Sequence, residues 1–101
     1  MAADAIFHIT SRAEWEAAMP TGEYRPAAFA REGFIHCSYD QQVDATLHRH
    51  FSGRSGLVVL EIDRGRPPAP VVDENLSGGA ELFPHVYGPL PISAVVGVRD
   101  L

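Results

Sequence analysis

The run LVVLEI, residues 57–62, is the strongest strand signal in the chain. Its apolar residues occupy both alternating faces, so neither face can be left to solvent. Such a strand belongs in the middle of a sheet. After it, RGRPPAP (64–70) reads as an exposed loop, because its prolines remove backbone donors. A short strand is expected over 71–74 and a further loop at LSGGA (76–80). Residues 82–87 read as extended, with Pro84 pointing to an edge position or a bulge, and 92–98 as the last strand.

On the N-terminal side, residues 5–9 form a strand with Ala5, Phe7 and Ile9 on one face and Ile6, His8 and Thr10 on the other. Ser11 and Glu14 have capping-box spacing, so a short helix should follow, carry Trp15, Ala18 and Met19 inward, and stop at Pro20 and Gly22. A brief extended piece surrounds Tyr24, and 26–32 is undecided. Residues 34–37 read as a second strand, and Ser38 with Gln41 repeats the capping spacing. The helix after it places Val43, Leu47 and Phe51 on one face and ends at Ser52 and Gly53. The order βα, β(β)α, then a run of strands is an α+β pattern, with two main helices and an antiparallel or mixed sheet completing the core.

A chain of 101 residues with 46% hydrophobic content is expected to form one domain over 1–101. No apolar run approaches the roughly 18 residues of a membrane helix. The start, MAADAIFHIT, lacks a basic segment followed by an apolar one, so a cytoplasmic protein without membrane association is expected. A single cysteine, Cys37, excludes an internal disulfide. The formal charge is −5, and all eight basic residues are arginine. That balance disfavours broad nucleic-acid binding, which needs many phosphates neutralised. A few placed arginines can still hold one nucleotide.

Candidate chemistry centres on His8-x-Thr10 and His36-x-Ser38. Residues i and i+2 of a strand share a face, so each histidine points the same way as its hydroxyl, a pairing suited to a ribose hydroxyl, an amide or a phosphate oxygen. The competing reading has the hydroxyls capping helices and the histidines half-buried. In FPHVYGPLP (83–91), alternation puts Phe83, His85 and Tyr87 on one face, with Tyr87 able to stack on a flat ring and Gly88 able to let a ligand approach. Glu81, just before that run, is the carboxylate placed to reach the pocket mouth and stabilise charge at an anomeric carbon. His48 and His50 flank Arg49 in a last helical turn and read as solvated. His8, His36 and His85 come from separate strands without local ligand spacing, so no metal is expected. Cys37 points away from His36, into the core.

IFHIT, the EGFIHCS-YDQQ block, LVVLEID and FPHVYGPLP together resemble the bacterial family known as domain of unknown function 952, from Ile6 to Leu101. The resemblance implies a fold similar to the catalytic core of ADP-ribosyltransferases, a small α+β fold whose split antiparallel or mixed sheet encloses an NAD cleft. FHIT (7–10) and FIHCS (34–38) also look like the Y-H-G-T and H-V-H-L-S strands of the RNA 2′-phosphotransferase family. There the first histidine helps hold NAD, which carries over to His8. That family's domain with the catalytic arginine has no counterpart in these residues, Ile9 replaces its glycine, and no residue matches the terminal catalytic glutamate of the protein-modifying transferases. Two functions follow as expectations. One is an enzyme that binds NAD or ADP-ribose and acts at its ribose, with His8, His36 and Glu81 catalytic and Thr10, Ser38, His85 and Tyr87 binding. The other is a sensing module that uses the same small-molecule nucleotide cleft without turnover.

Overall fold

A computed structural model describes residues 5–75 and 81–101, so the loop expected at 76–80 lies outside the described residues. Eleven elements follow in order: β1 (Ala5–Ser11), α1 (Arg12–Ala18), β2 (Glu23–Tyr24), α2 (Phe29–Glu32), β3 (Ile35–His36), α3 (Val43–Phe51), β4 (Leu57–Asp63), β5 (Val71–Glu74), β6 (Phe83–Val86), β7 (Leu90–Pro91) and β8 (Val95–Asp100). All strand pairings are antiparallel. The fold is α+β, with α1 and α3 as the main helices.

β4 is central, as its two apolar faces require, in the order β1-β4-β8. Val58, Leu60 and Ile62 face a core shared with Ile6, Trp15, Tyr24, Ile35 and Val86. Leu57 and Val59 face the opposite way and pack with Phe7, Ile9 and Val43 under α3, where Leu47 and Phe51 complete the cover. A second sheet has the order β3-β6-β5, and β2 pairs with β7 alone.

The two large sheets meet where Phe7 and Ser38 exchange backbone hydrogen bonds of 2.8 and 2.7 Å. This bridge sets β3 beside β1 and opens a cleft between them.

Several expectations change in detail. Residues 83–86 are the middle strand of the second sheet, not an edge, and Pro84 is accommodated by geometry. Its carbonyl accepts from Cys37 N–H at 3.0 Å, which turns its backbone toward β3 and away from β5. The return bond would need a proline N–H, so β3 ends at His36 instead of running over 34–37. Met19 is 45% exposed, because α1 ends at Ala18 and a 3-10 turn, Met19–Thr21, carries it outside. Ser38 does not cap the following helix: the side chain of Gln42 accepts from Tyr39 N–H at 2.9 Å, and Ser38 is buried. The undecided stretch contains α2, closed by Gly33 at φ 81°, where a residue with a side chain would be strained. At Gly88 an added Cβ would sit 2.5 Å from the Cβ of Ala69, so the close approach there is by the 64–70 loop and not by a ligand.

Ile62 is fully buried. Ile62→Ala should lower unfolding stability by about 2–5 kcal/mol, whereas Val98→Ala, at a side chain 45% exposed on β8, should stay within about 0.5 kcal/mol. Urea melts of both variants measure the contrast.

Candidate functional site

β1 sends His8 and Thr10, and β3 with the bridge residue that follows it sends His36 and Ser38, to one cavity of about 380 Å³, within the roughly 300–1,000 Å³ range of small-molecule sites. A second lobe of about 630 Å³ shares Phe34, His36 and Phe51 with it and continues to His50, Phe83 and His85. His36 therefore stands between two halves of one cleft. The two histidines converge, yet they present themselves differently.

His8 is 9% exposed, and both its nitrogens are engaged. Nδ1 lies 2.7 Å from the carbonyl of His36, and Nε2 lies 2.8 Å from the hydroxyl of Tyr24. A carbonyl only accepts, so Nδ1 carries the proton and Nε2 accepts from Tyr24 O–H. Burial lowers the His8 pKa against the smaller opposing effects of the His36 carbonyl and Glu14, and it raises that of Tyr24. The neutral ring braces the cleft wall; its lone pair is already used.

His36 is half-buried, and its Nδ1 lies 3.0 Å from Nε2 of His85. Nδ1 of His85 lies 2.9 Å from a carboxylate oxygen of Glu74. That carboxylate also accepts from Tyr87 O–H and is held below the usual range by Tyr87 first and His85 second. Glu74 only accepts, so Nδ1 of His85 carries a proton. In the neutral form of both rings, His85 Nε2 then accepts from His36 Nδ1–H. Nε2 of His36 keeps its lone pair and has no protein partner among the described residues. Burial, and next the proximity of His85, His8 and His50, lower the His36 pKa to about 4.

The hydroxyls are less available than their positions suggest. Thr10 donates to Glu14 at 3.0 Å, and the other oxygen of Glu14 accepts from Ala27 N–H at 2.9 Å. Ser11 caps α1 through Glu14 N–H at 3.0 Å, leaving the Glu14 side chain for this second task. Ser38 is 3.2 Å from the hydroxyl of Thr46.

Arginine supplies the cleft's charge. Arg12, Arg25, Arg64 and Arg66 are ion-paired. Arg31, Arg49 and Arg54 have no carboxylate partner among the described residues, and all three line the cleft. Three of the four guanidiniums without a carboxylate partner among the described residues thus stand at this cleft, Arg99 of β8 being the fourth, and they offer donors to an anionic ligand beside the carboxylates of Glu14, Glu32 and Glu74 in the same lining.

Among the other expected residues, His85 is buried beside His36 and stacked on Phe34 with ring centroids 4.2 Å apart. Tyr87 is 38% exposed and bound to Glu74, without lining either lobe. Glu81 is exposed and lines neither lobe; the carboxylate that meets the histidines is Glu74 of β5. His50 is exposed at the second lobe with its ring 6.5 Å from that of His36. Cys37 is sealed in the core, where burial pushes its thiol pKa up. Among the described residues, no group of three or more His, Cys, Asp or Glu side chains is arranged to hold a metal ion, and no helix is long and apolar enough to cross a membrane. Sequence reading missed Tyr24, Glu14, Glu74 and the three arginines.

The sequence profile of a family described as "Protein of unknown function (DUF952)" matches residues 9–98. The crystal structure of protein CC0527 from Caulobacter crescentus is similar, at 37% identity and TM-score 0.86, over 96% of this chain and 85% of that one. The solution NMR structure of CC0527 superposes with TM-score 0.83 over 100% and 85% of the two chains. No curated protein matches the chain.

The neutral histidines make stability depend on pH. An unfolded histidine takes its proton near pH 6.5, whereas folded His36 waits until about 4. Between those values the unfolded chain binds more protons, so stability is complete above about pH 6.5 and falls as pH drops toward 4. The His36 share is at most roughly 3 kcal/mol. His8, shifted in the same direction, adds to the slope. Glu74 and Asp73, both lowered, act in a separate window, losing their contribution below about pH 4. Urea midpoints between pH 7 and 4.5 should fall for the wild type and fall less steeply for His36→Asn.

Proposed function

Since the chain belongs to the DUF952 family, whose description names no activity, its function must be read from the cleft, and we propose that it binds NAD or an ADP-ribose-like nucleotide there and acts at the ligand's ribose. The observation that carries this reading is the meeting of unpaired arginines with the free Nε2 of His36 in a cavity of ligand size. A pyrophosphate needs guanidinium donors, and a ribose hydroxyl needs an acceptor nearby. Arg31 and Arg54 take the pyrophosphate, and His36 faces the ribose. Phe34, at the junction of the lobes, offers a ring for stacking. Glu14 is a further acceptor for ribose hydroxyls on the first lobe's wall. The bridged pair of small sheets flanked by two helices is compatible with the ADP-ribosyltransferase-like core that the sequence resemblance implies.

His8 acts by bracing: it fixes the His36 carbonyl and the Tyr24 hydroxyl instead of offering its own lone pair. Thr10 and Ser38 contribute only by exchanging their present partners for the ligand. The alternative, a sensing module without turnover, draws support from that same observation. All four paired residues that first pointed to the cleft are already bonded to protein groups, and of their ring nitrogens only Nε2 of His36 stays free among the described residues.

Thermal unfolding with NAD and with ADP-ribose tests binding. At about 100 times the dissociation constant the native state gains about 2.7 kcal/mol, and the midpoint rises. Arg31→Ala and Arg54→Ala should each weaken binding about tenfold or more while leaving the ligand-free midpoint nearly unchanged, because both side chains are exposed. His8→Ala is expected to lower the ligand-free midpoint, since it leaves the His36 carbonyl and Tyr24 without their partner. Release of nicotinamide from NAD separates the enzyme from the sensor. An unchanged midpoint with both ligands contradicts the nucleotide reading.

A further inference from the structure

We infer that two copies of the chain join through the free edge of β8, running antiparallel about Val98, so that the sheet β1-β4-β8 continues into the sheet of a second copy. The inference is independent of the nucleotide reading, because the cleft lies beyond β1, at the opposite edge of the same sheet.

The first support is the backbone. β8 is the last strand of its sheet and pairs only with β4 among the described residues. Leu101 N–H donates to the carbonyl of Leu57 at 3.1 Å. Hydrogen-bonded and non-hydrogen-bonded positions alternate along an antiparallel pair. Arg99 opposite Val59 and Gly97 opposite Glu61 therefore bond to β4, whereas Val98 opposite Leu60 does not. The backbone groups of Val98 and Asp100 point out from the edge, where they form a template for another strand. Val96, Val98 and Leu101 are about half exposed there. Neither proline nor lysine stands on β8 to discourage pairing, and its one register shift lies at its start, opposite Glu61 and Ile62.

The second support is charge, and it selects the occupant. Arg99 has no carboxylate partner among the described residues, and Glu61 has no basic one. The two are diagonal neighbours across the β4–β8 ladder, yet they form no ion pair. Oε1 of Glu61 instead lies 3.4 Å from where a Cβ on Gly97 would stand. The carboxylate thus leans over a position of β8 that has no side chain, toward the open edge.

Setting Val98 opposite Val98 of a second copy puts Arg99 opposite that copy's Gly97, with its Glu61 next in line on the same face. Arg99 and the other copy's Glu61 are then two strand spacings apart, about 10 Å between backbones. The glycine between them leaves the path open for their side chains to meet. The two-fold axis forms this ion pair twice. On the other face the two Val98 side chains make an apolar cross-strand pair. Asp100 falls opposite Val96 and keeps its ion pair with Arg12. Centring on Arg99 would set two guanidiniums directly opposite, which is unfavourable. Centring on Gly97 would place Arg99 opposite Val95, away from Glu61. An unrelated strand could make the same backbone bonds, but a second copy brings both charges at the required spacing.

One strand pair buries little surface, so the dimer should dissociate on dilution. Sedimentation equilibrium of the wild-type chain at low salt should show monomer passing to dimer as concentration rises. Added salt should shift it back, because the ion pairs are exposed. Arg99→Glu and Glu61→Arg should each weaken dimerisation about tenfold. The double variant should recover it, since both pairs return with reversed sign. Val98→Pro removes an N–H that β4 does not use and should give a folded monomer. In the wild type, the Val98 and Asp100 amides should exchange with solvent more slowly as concentration rises, a reading that needs no variant. A wild type that stays monomeric leaves the edge to a strand of another protein and overturns the inference. So does a dimer that survives Val98→Pro, a folded double variant that stays monomeric, or exchange at Val98 that ignores concentration.

Discussion

One hydrogen bond cluster decides the shape of this molecule: His8 Nδ1–H to the carbonyl of His36, next to the two backbone bonds between Phe7 and Ser38. Among the described residues each large sheet has three strands, and a sheet of that size needs packing against other elements to be stable. The joint between β1 and β3 supplies it by turning both sheets toward a shared core of Ile6, Ile35, Val58 and Val86. The cleft is the outer side of that joint. Its two histidines are therefore structural and chemical at once, and the division of labour follows from which of their nitrogens the fold consumes.

The fold uses both nitrogens of His8 and one of His36. Buried imidazoles without a counter-ion resist protonation, which keeps His36 a base throughout the neutral range. Three guanidiniums without a carboxylate partner among the described residues line the same cleft. Neutral bases beside these cations suit an anionic ligand. Pairing Arg31, Arg49 and Arg54 with surface carboxylates would remove that field. Three acidic residues are spent on other arginines: Asp73 holds Arg64, Asp63 holds Arg66, and Glu23 holds Arg25.

Much of this was legible in the sequence. The two apolar faces of residues 57–62 placed β4 in the middle, and the i, i+2 spacing placed His8 with Thr10 and His36 with Ser38 on one side of their strands. What could not be read depended on pairing between distant segments. Glu74 reaches His85 because β5 pairs with β6 in the register Val72 to His85, which puts Glu74 diagonally across from that ring. Alternation within either strand alone carries no such information, so Glu81, nearer in sequence to His85, looked the better carboxylate. Pro84 misled for a similar reason. Its missing donor excludes a central strand only if that donor is needed, and here β3 ends where it would have been used. Tyr24 lay in a two-residue strand too short to show a period, and its contact with His8 spans 16 positions.

The protonation pattern of the histidine rings tests the central claim most directly. Long-range proton–nitrogen correlation spectra of the ligand-free protein at pH 7 should show His8 as a single neutral tautomer with its proton on Nδ1. His36 should likewise carry its proton on Nδ1, with Nε2 unprotonated. A His8 ring that is charged, protonated on Nε2 or averaging between tautomers would mean that the joint between the sheets is not held as described. An Nε2-protonated His36 would mean that the cleft contains no free base.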